Sequence, residues 1–229
     1  MKKLILILLI LFPLVTKAQE SSPASWNASF YIGPVLGGVP RNIQNEMKKA
    51  GFKEVPQFID IGLGSGMARN GRVIQARFER KTKNPWSYSL LLSTYNGYVK
   101  GESPYYGRLH IEHTQLASSF LVGYNFNVIR FAAGPSLHYT TLENPGYSSP
   151  SPYKDNTFKA GFAVEAGLRF PAKSRIFFDF NTQYQYVGKQ NLGTYNFFEP
   201  VEELQLSTKP ANYLCFNIGL GIRFGKIVK

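Results

Sequence analysis

FKAGFAVEAGLRF, residues 158–170, is the stretch whose reading decides the fold. Its even positions, Phe158, Ala160, Phe162, Val164, Ala166, Leu168 and Phe170, are all apolar. Its odd positions, Lys159, Gly161, Ala163, Glu165, Gly167 and Arg169, are charged or small. Side chains alternate faces with a period of two only in a β-strand, so one face of this strand is wholly apolar and the other carries buried-scale charges among residues small enough to leave room for them. A strand crossing a bilayer at a tilt needs about 9–11 residues, more than most strands of soluble proteins have. The segment is long enough to cross.

The same alternation recurs along the chain. Residues 175–186 place Ile176, Phe178, Phe180, Thr182, Tyr184 and Tyr186 opposite a mostly polar set that includes Asp179, Asn181, Gln183 and Gln185. Residues 213–224 set Leu214, Phe216, Ile218, Leu220, Ile222 and Phe224 against Asn217, glycines and Arg223, and residues 73–79 set Ile74, Ala76 and Phe78 against Gln75, Arg77 and Glu79. Weaker matches at 26–37, 86–99, 108–125 and 128–142 bring the total to about eight strands. Around Ile111 to Leu116 the apolar parity moves from odd to even positions, which predicts a β-bulge. The fold expected is an all-β, eight-stranded antiparallel up-and-down transmembrane barrel of the outer-membrane type.

The connections alternate in length. Lys81–Pro85, Asn125–Asn127 and Pro171–Ser174 are short, whereas 38–70, 100–107, 143–157 and 188–211 are long and rich in Gly, Pro, Ser and Asn. Outer-membrane barrels keep short turns on the periplasmic side, so both termini are expected there. In the first long loop Ile43, Met47 and Ala50 share a helical face that stops at Gly51, predicting a short helix over 42–50, and Phe58 to Leu63 is expected to be extended. Trp26, Trp86, Tyr88, Tyr184 and Tyr186 fall near strand ends, where amphipathic rings sit at the lipid boundary. A soluble lipocalin-like barrel would turn the pattern inside out, and alternation by itself does not choose between them. In the lipid-facing reading the lumen holds Arg77, Glu79, Glu165, Arg169, Asp179 and Arg223, with both signs present so that buried charges can pair. Eight strands leave room for side chains and no wide channel.

The N-terminus is basic at Lys2 and Lys3, then apolar from Leu4 through Val15, then small at Thr16 and Ala18 before Gln19. This is the pattern of a cleaved secretory signal over residues 1–18, leaving 19–229 as one barrel domain. The apolar run is shorter than the roughly 20 residues of a helical span, and no cysteine lies near the junction to accept a lipid anchor. Removing 1–18 takes away three lysines and no acid, so the formal charge falls from +12 to +9. Export argues against nucleic acid as the partner of this basic chain and for anionic outer-membrane lipid or lipopolysaccharide, with a plain solvated surface as the competing explanation. Cys215 is the only cysteine, so no intramolecular disulfide forms.

With the phrases Trp26…Gly33-Pro34, Val122-Gly123-Tyr124, Ala133-Gly134-Pro135 and Gly219-Leu220-Gly221-Ile222-Arg223-Phe224-Gly225, and with a signal ending Lys17-Ala18-Gln19, the chain resembles the Bacteroidota outer-membrane β-barrels, including the PorT-like group and the barrels of OmpA relatives. The resemblance covers the mature chain. It implies an outer-membrane location, insertion by the barrel-assembly machinery with Phe224 as the terminal aromatic signal, and for PorT-like members an accessory role in type IX secretion. Residues 226–229 after Phe224 depart from the strict signal, which ends on the aromatic, and no peptidoglycan-binding domain is expected after the last strand.

Chemical motifs are sparse. His110, Glu112 and His113 suggest metal ligands, but residues three apart in a strand point to opposite sides. Gly62, Gly64 and Gly66 lack the following helix that a phosphate cradle needs. His138 with Thr140 and Glu143 is the one catalytic idea, prompted by lipid A deacylases that use a His, a Ser and an acid, with Thr here in place of Ser. No catalytic residue, cofactor or metal is therefore expected. The function expected is non-enzymatic, structural or accessory in the envelope, with Tyr195, Phe197 and Phe198 of the last long loop as candidate protein contacts. A narrow solute pore and a lipid A-modifying enzyme are the alternatives.

Overall fold

A computed structural model describes residues 25–53, 68–69, 71–82, 85–104, 107–144, 153–171, 174–189, 194–197, 202–205 and 210–225. Residues 1–18 and Phe58–Leu63 lie outside these. Eight long strands form the wall: β1 Ser25–Gly37, β2 Arg72–Lys81, β3 Trp86–Ser103, β4 Gly107–Phe126, β5 Ile129–Asn144, β6 Tyr153–Phe170, β7 Ile176–Tyr186 and β8 Tyr213–Phe224. Each pairs antiparallel with its neighbour in the chain, and β8 closes on β1. Two-residue Ala68–Arg69 continues β2 along β3, and Thr194–Phe197 pairs with Glu202–Gln205 as a separate hairpin in the last long loop.

The register defines the barrel. Trp26 pairs with Arg80, Arg80 with Tyr88, Tyr88 with Val122, and Val122 with Ala133. The circuit continues through Val164, Tyr184 and Leu214 and returns to β1 at Leu36, ten residues beyond its start. Eight strands with a shear of ten tilt about 41°, taking 3.3 Å per residue and 4.8 Å between strands. The interior is then only wide enough for side chains.

Burial alternates strictly, as in β8, whose pattern runs buried at odd and exposed at even positions from Cys215 onward. Phe30, Phe78, Leu90, Phe120, Phe131, Phe162, Leu168, Phe178, Phe180 and Ile218 all face outward and are exposed. These residues form an apolar band that encircles the wall, as a strand surface facing a bilayer's hydrocarbon layer requires. No water-soluble protein leaves so continuous an apolar surface bare. The lipocalin-like arrangement is thereby overturned. No helix among the described residues is long and apolar enough to cross a membrane, and the crossing is made by strands.

Three short connections sit at the end that carries the termini. At the tightest, Phe126 and Ile129 are hydrogen-bonding partners and Asn127 takes φ 53°, in the left-handed region where Asn is tolerated. At the other end, called here the loop end, the wall is uneven. β3 runs to Ser103 and β4 starts at Gly107, and β5 and β6 pair out to Asn144 and Tyr153, so residues 100–103, 107, 143–144 and 153–157 of the expected loops are strand. These four strands project well past β7, β8, β1 and β2.

The expected bulge at Ile111–Leu116 is absent. β4 keeps one register with β3 from Gly107 to Tyr124, and with β5 throughout. The parity changes because Leu109 and Ile111 point inward into an apolar cluster at the mouth, while Leu116 and Phe120 point outward to lipid. The register does shift by one residue elsewhere, between Ala68–Arg69 and β2 along β3. Gly71 sits at that step, where an added Cβ would fall 1.0 Å from the Asn96 carbonyl oxygen. Backbone this close admits only glycine.

The helix α1, Val39–Lys49, begins three residues earlier than its apolar spacing implied, because Pro40 is acceptable in a first helical turn. Gly51, with φ 81°, follows its end.

Candidate functional site

From the terminus end upward the lumen is filled in three layers. The lowest is ionic. Asp179, fully buried, accepts hydrogen bonds from Tyr31 Oη at 2.9 Å, Arg130 Nη1 at 3.1 Å, and Arg169 Nη2 and Nε at 2.9 and 3.2 Å. Glu79 accepts from Arg169 Nη1 at 2.6 Å and from Asn27 Nδ2 at 2.7 Å. Glu165 accepts from Arg130 Nη2 at 2.5 Å and from Arg77. Three carboxylates thus meet three guanidiniums contributed by β2, β5, β6 and β7. Each carboxylate accepts at least two of these hydrogen bonds, which is what makes its buried charge tolerable, whereas Arg77 donates to Glu165 alone and its Nε and Nη1 have no partner among the described residues.

Of the six residues expected here, Arg77, Glu79, Glu165, Arg169 and Asp179 are placed in this layer. Arg223 stands at its edge, donating to Asn27 Oδ1 at 3.2 Å with its guanidinium 5.8 Å from the centre of the Phe177 ring. Arg130, which is not among those six, joins Glu165 to Asp179. Its signal was present: Phe131, Ala133, Pro135 and Leu137 set the outward parity of β5, which leaves Arg130 facing in.

The middle layer is amide and hydroxyl. Gln75 Nε2 donates to Gln183 Oε1 at 2.8 Å, and Asn217 Nδ2 to Asn181 Oδ1 at 2.7 Å, with Ser119 and Gln185 also buried around them.

The top layer is apolar and closes the mouth. α1 lays Val39, Ile43 and Met47 over the lumen, where they pack with Val35, Val73, Val99, Leu109, Ile111, Leu142, Tyr95 and Tyr213. Asn42 Nδ2 donates to the Pro210 carbonyl at 3.0 Å, and Gly38 N to the Asn212 carbonyl at 2.9 Å, tying the helix to the last loop. In this layer lies a water-soluble kind of core, built from one helix and the inner faces of the projecting strands. Periodicity placed the helix in the first loop; only the tertiary structure puts it across the opening.

The catalytic idea at His138 fails on geometry. His138 and Thr140 face the lumen and are fully buried, but Glu143 is on the opposite face, exposed and 3.3 Å from Lys154 Nζ. An odd–even separation on one strand cannot bring an acid to the imidazole. His138 Nε2 lies instead 2.8 Å from Ser136 Oγ, and its Nδ1 2.9 Å from Gln115 Nε2, a structural network beneath the cap. His113 likewise points inward against Tyr95, whereas His110 and Glu112 point outward, so these three do not converge.

Trp26, Trp86 and Tyr88 face outward near the terminus end, where Trp86 packs edge-on to Tyr124 with centroids 5.2 Å apart and Arg80 stands 5.7 Å over Trp26. Tyr184 and Tyr186 face outward at the loop end of β7. Phe224 is the last residue of β8, exposed and paired with Trp26. Tyr195 and Phe197 belong to the loop hairpin, paired with Leu204 and Glu202. Phe198 and Gly62, Gly64 and Gly66 lie outside the described residues.

A closed eight-stranded wall, an apolar belt and a polar, occupied lumen define a transmembrane β-barrel of the outer-membrane type. No protein-family model matches the chain, and no curated protein matches its sequence. Similar solved structures include the outer membrane protein OprG from Pseudomonas aeruginosa, 13% identical with a TM-score of 0.49 over 90% of this chain and 97% of that one. The attachment invasion locus protein Ail of Yersinia pestis is 12% identical with a TM-score of 0.43, covering 89% of this chain and 100% of its own. The outer membrane protein AlkL in lipid bilayers is 13% identical with a TM-score of 0.46, covering 92% and 96%.

Proposed function

We propose that this chain is a non-enzymatic integral protein of the outer membrane, with periplasmic termini, that acts through its outward-facing loop end as an accessory to another envelope component. The observation that carries this reading is the occupied lumen, filled from the ionic layer to the α1 cap, which leaves the loop end as the surface open to partners. That end is built rather than merely connected: four strands project, a helix packs across them, and a hairpin stands in the last loop. Structured loops on a rigid wall are where barrels carry recognition. An accessory role in type IX secretion, which the PorT-like resemblance implies, is the specific form proposed.

The test is co-purification after gentle detergent extraction of outer membranes. A stable complex lost when the Thr194–Gln205 loop is replaced by Gly-Ser supports the reading, and a strictly monomeric species with no partner argues against it.

A further inference from the structure

A groove of about 1270 Å³ winds along the outer wall. It follows one line of hydrogen-bonded neighbours: Phe131 pairs with Ala166, Ala166 with Thr182, and Thr182 with Phe216, and on the far side of the β8–β1 seam Pro34 pairs with Arg72. Its floor is low because Ala166, Thr182 and Pro34 are smaller than the residues flanking them. The lower flank is a ridge of Leu168, Phe180, Ile218 and Ile32.

The tilt of the wall makes this line climb. Five strand steps at about 4.8 Å and a 41° tilt raise it about 16 Å, close to half the thickness of a bilayer's hydrocarbon core. It therefore begins within the apolar belt at Phe131 and ends at the belt's loop-end margin. What it meets there is Arg72, exposed, facing outward, and with no hydrogen-bond or ion-pair partner among the described residues. Below Arg72 on the same face is apolar Ile74, and beside it stand Asn96 and Thr114, paired with each other across β3 and β4. The exposed carboxylate of Glu112 also lines the groove, two residues along β4 from Thr114 and 3.7 Å from His110 Nε2, so the phosphate is placed on the Arg72 side of Asn96. An unpaired guanidinium at the edge of an apolar surface, with amide and hydroxyl groups alongside, is complementary to a phosphate whose own tail is apolar.

We infer that this groove binds one lipid of the loop-end leaflet, its acyl chain lying along Phe131–Phe216 and its phosphate on Arg72. The site rests on the reading of the barrel as membrane-spanning, and it adds a ligand class to it. An apolar channel that rises to an exposed guanidinium suits a lipid and not a free anion, which would gain nothing from the apolar length of the groove. Each Arg near a membrane surface contributes about 1 kcal/mol toward an anionic headgroup, or about a fivefold change in affinity.

Native mass spectrometry of the mature chain in detergent micelles, titrated with dioleoyl-phosphatidylglycerol, tests the inference. Wild type is expected to retain one lipid, Arg72→Gln to bind it about fivefold more weakly, and Arg175→Gln, an exposed cation at the terminus end, to bind as wild type does. Thr182→Trp, which fills the groove, is expected to lose the lipid while keeping its circular dichroism. Equal affinity in wild type and Arg72→Gln overturns the site, as does displacement of the lipid by millimolar inorganic phosphate. A wild-type chain that washes out of phosphatidylglycerol vesicles with urea defeats the membrane reading and the site with it; an inserted Arg72→Gln of unchanged affinity defeats the site alone.

Discussion

Asp179→Asn is the sharpest perturbation of the lumen. The substitution keeps the shape of the side chain and removes a charge that receives Tyr31, Arg130 and the Nε and Nη2 of Arg169. The ionic layer then holds two carboxylates against three arginines, with one guanidinium uncompensated in a site that water does not reach. Breaking a buried pair from one side costs about 3–5 kcal/mol. The lower end applies here, about 3 kcal/mol, because Arg130 keeps Glu165 and Arg169 keeps Glu79. Urea unfolding in lipid vesicles reports it through Trp26 and Trp86, the only tryptophans, both on the lipid face. At about 1–3 kcal/mol per molar urea the midpoint falls by about 1 M or more. Combining Asp179→Asn with Arg169→Gln should cost less than the sum of the two, with a coupling above about 1 kcal/mol. Strict additivity, or a loss for Asp179→Asn under about 0.5 kcal/mol, refutes the balanced network.

Gly221→Val is expected to prevent folding, since a Cβ there would lie 2.3 Å from the Phe177 ring and 2.6 Å from Ser29 Oγ; recovery of a folded barrel by circular dichroism would contradict the packing at that level. Met47→Asp places a charge in the apolar cap and should free α1, read as new proteolytic cleavage within 39–53 while the wall stays resistant. Cys215 faces the lumen beneath the cap, so a polar maleimide should leave it unmodified until urea unfolds the chain. His138→Ala should leave the lipid A profile unchanged and cost stability only, about 1–3 kcal/mol, through the stranded Gln115 and Ser136 groups.

The wall was legible because lipid outside and charge inside give alternation its full contrast, as at Phe162, Val164 and Glu165. Legibility failed where that contrast is lost. Leu109 and Ile111 are as apolar as Leu116, yet they face a helix instead of lipid, and parity could not distinguish two apolar environments on opposite sides of one strand. Strand ends at Ser103, Gly107 and Tyr153 were misjudged for the same reason, since the projecting strands stand in water and carry the Gly, Pro and Ser of ordinary loops. Six lumen charges can be named from spacing, but their partners cannot, because Glu79 and Arg169 are 90 residues apart and meet only once a shear of ten is set. The groove on the outer wall has no sequence signal, being defined by residues from all eight strands that share one line of the register.

Electrical recording across planar bilayers holding the refolded mature chain tests the filled lumen most directly. A silent membrane is expected at every holding potential, with Met47→Asp silent as well because the ionic layer remains below the cap. Discrete conductance steps from the wild-type chain would contradict it and return the barrel to the class of pores.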